Sequence, residues 1–164
     1  MSTPARWRNK SPGDLSIELN EITSSDVEMC AQQCVLSGLA WARTGRDERA
    51  RRLKLAQAKI AGAKEELARG ISIETGKPIT EALGELGAVI AKFDLTIADA
   101  DRHLADVPVT DGPHPARVRR RARGVAAVVG PFNFPIHLPH GAVVAYLLAG
   151  NTVLFKPSPL AANV

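Results

Sequence analysis

The sequence predicts an α/β fold built around a parallel sheet, and three observations carry that reading. Two short apolar runs rich in β-branched residues, Val125–Val129 and 152–155, show no polar alternation, as expected of strands covered on both faces. Between them lies an apolar segment, 136–148, of the length that a right-handed crossover helix requires. Upstream, long stretches repeat apolar residues every three or four positions, the mark of amphipathic helices. Strand, loop, helix and strand make a βαβ unit, the building block of nucleotide-binding sheets.

Composition bounds the function classes. A chain of 164 residues with 45% hydrophobic and 23% charged residues suits one ordinary globular domain with a sizeable core. The net charge of +4 is concentrated in Arg117, Arg119, Arg120, Arg121 and Arg123. No aromatic is interleaved with those arginines and no recognition motif accompanies them, so nucleic acid is not the expected partner. The first ten residues are polar, and the longest apolar stretch, 142–155, is broken by Gly150-Asn151 well short of a bilayer span, so no membrane partner is expected. Cys30 and Cys34 stand four apart in a helical pattern with no His or further Cys nearby, which favours small buried hydrophobes over a metal or redox pair. A reducing cytoplasm is the expected home.

In chain order, residues 1–9 read as a basic, loose start, and Leu15, Ile17 and Leu19 alternate with polar residues as a half-exposed strand does. A first helix is predicted from an N-cap at Ser25, with Glu28 completing a capping box and Val27, Cys30, Cys34 and Trp41 on its inner face. A second runs over 47–70, with Leu53, Ala56, Ile60, Ala63 and Leu67 as its stripe, followed by a short helical turn, 71–74. Gly76 closes that turn in the left-handed conformation and Pro78 opens the next helix. That third helix covers Ile79–His103 on the rhythm of Leu83, Leu86, Ile90, Phe93, Ile97 and Leu104. The helices are expected to pack over the sheet. Glu74, Glu81 and Glu85 read as ion-pairing or helix-end charges rather than acid/base catalysts, and Lys77 reads as structural. Residues 105–115 turn on Asp111-Gly112 and lead through the arginine run, an extended hairpin.

The stretch Gly130-Pro131-Phe132-Asn133-Phe134-Pro135 follows the first parallel strand, where open α/β sheets place their ligands. Two prolines and a glycine fix the backbone around one amide side chain. Held rigidly there, Asn133 can donate to an oxyanion. It can equally cap the next helix through its side-chain oxygen. His137 and His140, with Pro139 between them, suit helix entry better than metal ligation.

These residues resemble the N-terminal half of the aldehyde dehydrogenase superfamily. The Asn133 loop with Leu148-Ala149-Gly150-Asn151-Thr152 and Phe155-Lys156-Pro157-Ser158 forms one signature. Glu74-Thr75-Gly76-Lys77-Pro78 with Glu81 and Glu85, and Trp41 with Glu48-Arg49, form two more. His137-Leu138-Pro139-His140-Gly141 is most similar to succinylglutamate-semialdehyde dehydrogenases of arginine catabolism. The resemblance implies a Rossmann-like NAD(P)-binding domain, aldehyde oxidation to the carboxylate with NAD or NADP as cofactor, and a homo-oligomer. It implies that Asn133 steadies the oxyanion of a thiohemiacetal. Val129, Gly130, Pro131 and Phe132 would line the nicotinamide side, and Lys156, with Ser158 nearby, would meet the adenosine ribose or its 2′-phosphate.

The chain then divides into an N-terminal segment (1–24), the helical part of the cofactor-binding domain (25–104), a hairpin that the resemblance makes an oligomerisation segment (105–124), and the start of the βαβ unit (125–164). The family commonly has Glu after Lys-Pro-Ser, where this sequence has Pro159, so cofactor preference is open. The family's nucleophilic cysteine and general-base glutamate lie downstream of Lys156-Pro157-Ser158, and neither Cys30 nor Cys34 holds that position. The 164 residues therefore read as an incomplete fold, a fragment inactive by itself, marginally stable and prone to associate through an open sheet edge. A non-catalytic binding or assembly module is the other reading.

Overall fold

The computed structural model describes residues 4–112 and 114–164. Its elements run β1 (Arg6–Ser11), β2 (Asp14–Thr23), α1 (Val27–Arg43), α2 (Arg46–Gly62), α3 (Lys64–Thr75), α4 (Ile79–His103), β3 (Val107–Val109), β4 (Ala116–Val118), β5 (Val125–Val129), α5 (His137–Leu148) and β6 (Thr152–Lys156). Strands pair two by two: β1 with β2 and β3 with β4 antiparallel, β5 with β6 parallel. The parallel pair joined by α5 is the βαβ unit expected from the two apolar runs.

Side-chain alternation along β6 shows what covers each face of that pair. The Thr152 hydroxyl donates to the Cys34 carbonyl of α1 at 2.9 Å. Phe155, three residues on and so on the other face, lies against Gly130 beside Pro139 of α5. Helices α1 and α5 thus sandwich the sheet. The other helices pack against α5 and one another rather than directly on β5 and β6, a difference from the simple layer expected. Leu53, Val89, Phe93, Val144 and Leu148 form one core between α2, α4 and α5. Ala68, Ile71, Ala82 and Leu86 form a second between α3 and α4. Truncating a side chain as buried as Ile71 or Leu86 would cost about 3 kcal/mol.

Several local expectations are corrected. The first helix is capped by Asp26, whose carboxylate accepts from the Met29 N–H at 3.0 Å, not by Ser25. Asp26 stands three residues before an available amide, which makes Ser25 redundant. Val27, expected on the inner face, is 68% exposed, because the helix starts on its outer side. Cys30, Cys34 and Trp41 do face inward, half-buried. The 47–70 helix is two helices that break at Ala63, after Gly62, and α3 absorbs the supposed turn at 71–74. Glycine at position 62 weakens the helix at that point, and the change of axis gives α3 its own core. The supposedly loose start contains β1, paired with β2 from Arg6↔Thr23 to Ser11↔Asp14. Gly76 takes φ 72 and closes α3, as the sequence indicated. Helix α4 has the bounds read from its apolar rhythm.

His140 is buried edge-on against Phe93, with ring centroids 4.5 Å apart, and neither ring nitrogen has a hydrogen-bond partner among the described residues. Burial first, then the charges of His137 and Lys92, push it down to about 4. Below about pH 6.5 the unfolded chain takes up a proton that the folded imidazole refuses, so stability falls from there to about pH 4. The His140 share of that loss approaches about 3 kcal/mol. Urea unfolding at about pH 7 and about pH 5 is expected to show the decline. His140→Leu should flatten it, and an unchanged slope in that variant would refute the assignment.

Candidate active site

The carboxyl ends of β5 and β6 meet in register. Val129 is the partner of Lys156, and the Gly130 N–H donates to the Lys156 carbonyl at 2.9 Å. A Cβ on Gly130 would stand 3.0 Å from the Phe155 ring and 3.4 Å from Pro139, so glycine lets the chain leave the strand this close without displacing the ring. Val129 is 71% exposed at this edge, and Phe132 is also exposed. Pro131 is half-buried, Pro135 is buried, and Asn133 between them is exposed, with no hydrogen-bond partner among the described residues. The structure therefore brings Val129, Gly130 and Lys156 together and starts the Asn133 loop beside them.

Asn133 caps nothing: α5 begins only at His137, and its end is satisfied by a residue from α4. The Glu85 carboxylate accepts from the Ile136 N–H at 3.2 Å and the His137 N–H at 3.1 Å. Its other oxygen accepts from Lys77 Nζ at 2.5 Å. This pair is sealed, with the side chains 0% and 10% exposed. Lys77 Nζ also sits 3.9 Å from the centroid of the Phe134 ring. The backbone of Lys77 is fixed in turn. Its carbonyl accepts from the Ser72 hydroxyl at 2.7 Å, and its N–H donates to the Thr75 hydroxyl at 3.3 Å. Glu85 and Lys77 thus take the helix-end and ion-pairing roles that the sequence indicated.

The opposite end of α5 is held by a cation. Arg49 Nε donates to the Leu148 carbonyl at 2.9 Å, and its Nη1 donates to the Thr44 carbonyl. The Trp41 indole donates to the Leu147 carbonyl at 2.9 Å. Gly150, at φ 92, lets the chain reverse within 3.3 Å of the Arg49 guanidinium, measured from where a Cβ would stand. Glu48 pairs outward. Arg51 and then Arg52 hold its carboxyl at about 2, and Arg52 stacks on Trp41 at 5.9 Å. The Trp41 and Glu48-Arg49 signature is a clamp on the C-terminus of α5.

At the end of β6, Lys156 is exposed, and its ammonium donates to the Pro157 carbonyl at 3.1 Å. The Ser158 hydroxyl accepts from the Leu160 N–H at 3.2 Å, which stabilises a turn and leaves its proton available to donate. The Pro159 carbonyl accepts from Asn9 Nδ2 at 2.6 Å, so β1 fastens the segment after Lys156. Glu74, buried at the end of α3, accepts from the Ala162 and Asn163 amides at 2.8 and 2.9 Å. Sequence reasoning missed the structural work of Arg49, Asn151 and Glu74. Asn151 Oδ1 accepts from the Arg123 and Gly124 amides at 2.7 and 3.1 Å, aligning the entry to β5. For Glu74 and Asn151 the available signal was a polar residue standing beside an apolar run, whereas Arg49 stands among other charged residues and gave none. The two thiols lie elsewhere: Cys34 Sγ is 3.6 Å from the Val153 carbonyl near the start of β6, the end away from Asn133.

A parallel βαβ unit with an exposed edge at its strand ends is the plan of dinucleotide-binding α/β proteins. The chain belongs to the aldehyde dehydrogenase family, whose profile matches residues 2–164. It is 43% identical over 121 residues to an N-succinylglutamate 5-semialdehyde dehydrogenase of Chromobacterium violaceum, covering 74% of this chain and 25% of that protein. An enzyme of the same name from Burkholderia mallei is 40% identical over 159 residues, covering 96% and 32%. The chain therefore spans about a third or less of the length of these curated relatives. Among solved structures it resembles the NADP-dependent glyceraldehyde-3-phosphate dehydrogenase from Bacillus halodurans complexed with NADP. There the TM-score is 0.88 at 25% identity, over 96% of this chain and 35% of that one. A NAD-dependent benzaldehyde dehydrogenase from Corynebacterium glutamicum gives 0.87 at 25%, over 96% and 35%.

Replacing Arg49 by Met keeps the bulk but strips two helix-end carbonyls of their donor. Chemical unfolding of Arg49→Met is expected to show a loss of about 2–4 kcal/mol. A loss under about 0.5 kcal/mol would mean that Arg49 does not hold α5.

Proposed function

We propose that this chain is the N-terminal portion of an NAD(P)-dependent dehydrogenase that oxidises a semialdehyde, N-succinylglutamate 5-semialdehyde, to the carboxylate in arginine catabolism. The observation that carries the reading is the pairing of Val129 with Lys156 at the sheet edge next to a fixed loop that leaves the Asn133 amide unpaired. The names of the relatives support the substrate.

The residues present fit a dinucleotide. Val129, Gly130, Pro131 and Phe132 offer an apolar wall with the close backbone approach that Gly130 permits. Lys156 brings an ammonium whose protein partner is the neighbouring carbonyl, so it can donate to a ribose hydroxyl or a 2′-phosphate. Ser158 can donate its free proton. With Pro159 in place of a carboxylate, and its carbonyl engaged by Asn9, no acidic side chain stands beside Lys156-Pro157-Ser158 in sequence to repel a 2′-phosphate. Either NAD or NADP suits this edge. A nicotinamide bound there supplies the hydride acceptor.

Asn133 acts on the substrate. When a nucleophile adds to the aldehyde carbon, the carbonyl oxygen becomes anionic, and a preorganised amide N–H stabilises it without rearrangement. The exposed Asn133 is free to do this because Glu85 has taken over the capping of α5. The thiol nucleophile of the reaction comes from outside these 164 residues, since Cys30 and Cys34 belong to α1 and its contact with the start of β6. The exposed β3–β4 hairpin suits contacts between subunits of a homo-oligomer. No helix among the described residues is long and apolar enough to cross a membrane, and a cytoplasmic enzyme is the reading that fits the two unpaired cysteines.

The test is a chimera that joins residues 1–164 to the remaining part of the Burkholderia mallei relative, assayed for cofactor reduction with N-succinylglutamate 5-semialdehyde. Turnover is expected. Asn133→Ala should lower kcat by roughly a hundred- to a thousand-fold while cofactor affinity changes little. A folded chimera without activity, or an Asn133→Ala variant with unchanged kcat, would overturn the proposal. The 164-residue polypeptide alone is expected to give no turnover, and cofactor reduction by it would show that the nucleophile has been misassigned.

A further inference from the structure

The segment that carries Asn133 is bounded by two interactions that originate from one buried ion pair. We propose that Lys77 and Glu85 are a positioning pair for Asn133: Glu85 fixes the amides just after the loop, and Lys77 holds the ring of Phe134, the residue next to Asn133. The inference rests on the proposed role of Asn133 but makes a separate claim about what sets its geometry.

The arrangement is specific. Glu85 uses one oxygen for the Ile136 and His137 amides and the other for the Lys77 ammonium, so its acceptor directions are divided between loop and partner. Lys77 divides its positive charge between that carboxylate and the Phe134 face at 3.9 Å. Its stem cannot wander, because Ser72 and Thr75 hold the backbone on both sides and Gly76 makes the left-handed turn that delivers it. A Cβ on Gly76 would approach Pro12 at 3.3 Å, so the β1–β2 turn backs this corner as well. If the pair served only to join α4 to α5, the Phe134 contact would be superfluous. Phe134 is 40% exposed, and its ring meets the Lys77 ammonium and, edge-on with centroids 6.4 Å apart, the His137 ring. The cation–π contact supplies a reason for its placement and ties the position of the adjacent Asn133 to α4.

Three substitutions separate positioning from bulk stability. Phe134→Leu leaves the ion pair whole and removes the aromatic face. Lys77→Arg keeps the charge, the ion pair and the stacking, whereas Lys77→Met removes all three. Amide hydrogen exchange on the 164-residue chain is expected to speed up by roughly tenfold at Ile136 and His137, the loop-end amides that donate to Glu85, in Phe134→Leu and Lys77→Met, with α2 unchanged, and to stay near the parent rate in Lys77→Arg. In the chimera, Phe134→Leu should lower kcat by roughly tenfold with KM for the cofactor unchanged, and Lys77→Arg should retain most of the activity. Loop-end exchange unchanged in Phe134→Leu, or rates raised equally throughout the chain, would overturn the inference. An inactive parent chimera would count against the function proposed for Asn133, while the exchange results would still decide whether Lys77 and Glu85 position the loop.

Discussion

Helix α5 carries no charge of its own at either end. It has no acidic residue in its first turn, no basic residue in its last, and no side-chain cap. Its amide and carbonyl ends nevertheless carry partial charges that need partners when buried. Glu85 of α4 supplies a carboxylate at the positive end, and Arg49 of α2 supplies a guanidinium at the negative end. A helix made almost entirely of apolar residues can therefore be buried between the sheet and the other helices while its ends are neutralised from outside. Removing a buried charge from such an arrangement strands its partner, and the cost of roughly 3–5 kcal/mol exceeds the net worth of the pair.

This constraint links fold to chemistry. Because Glu85 occupies the first amides of α5, the Asn133 side chain is released from capping and left exposed at the strand edge. Because Arg49 and Asn151 fix the chain from the end of α5 into β6 and the entry to β5, the two strands keep the register that sets Lys156 beside Val129. The three sequence signatures thus converge on one helix. One supplies its N-terminal anion with Lys77, one supplies its C-terminal cation with Trp41, and one is the helix with its flanking loops.

Much of the plan was legible in the sequence where the physics is local. The apolar runs gave β5 and β6, the three-four rhythm gave α4 with its bounds, and Gly76 announced the end of α3. The readings failed where two local signals competed. Ser25 and Asp26 are both good caps, and only the register of α1 decides between them. The stripe from Leu53 to Leu67 passes through the break at Ala63 almost without a phase change, so periodicity could not reveal it. Trp7 and Asn9 looked like part of a loose tail because β1 depends on its partner β2 and on the distant Pro159 carbonyl. The roles of Arg49, Glu74 and Asn151 were hidden for the same reason: their partners lie dozens of residues away and are backbone groups, which leave no mark in a sequence.

The most direct measurement is a double-mutant cycle on unfolding free energy, with Glu85→Gln, Lys77→Met and the pair together. If Lys77 and the helix end share one buried carboxylate, the two substitutions should couple by about 1.5 kcal/mol or more. Coupling within about 0.3 kcal/mol of zero would mean that the Glu85 centre is not a single unit, and the basis for the placement of α5 and of Asn133 would fail.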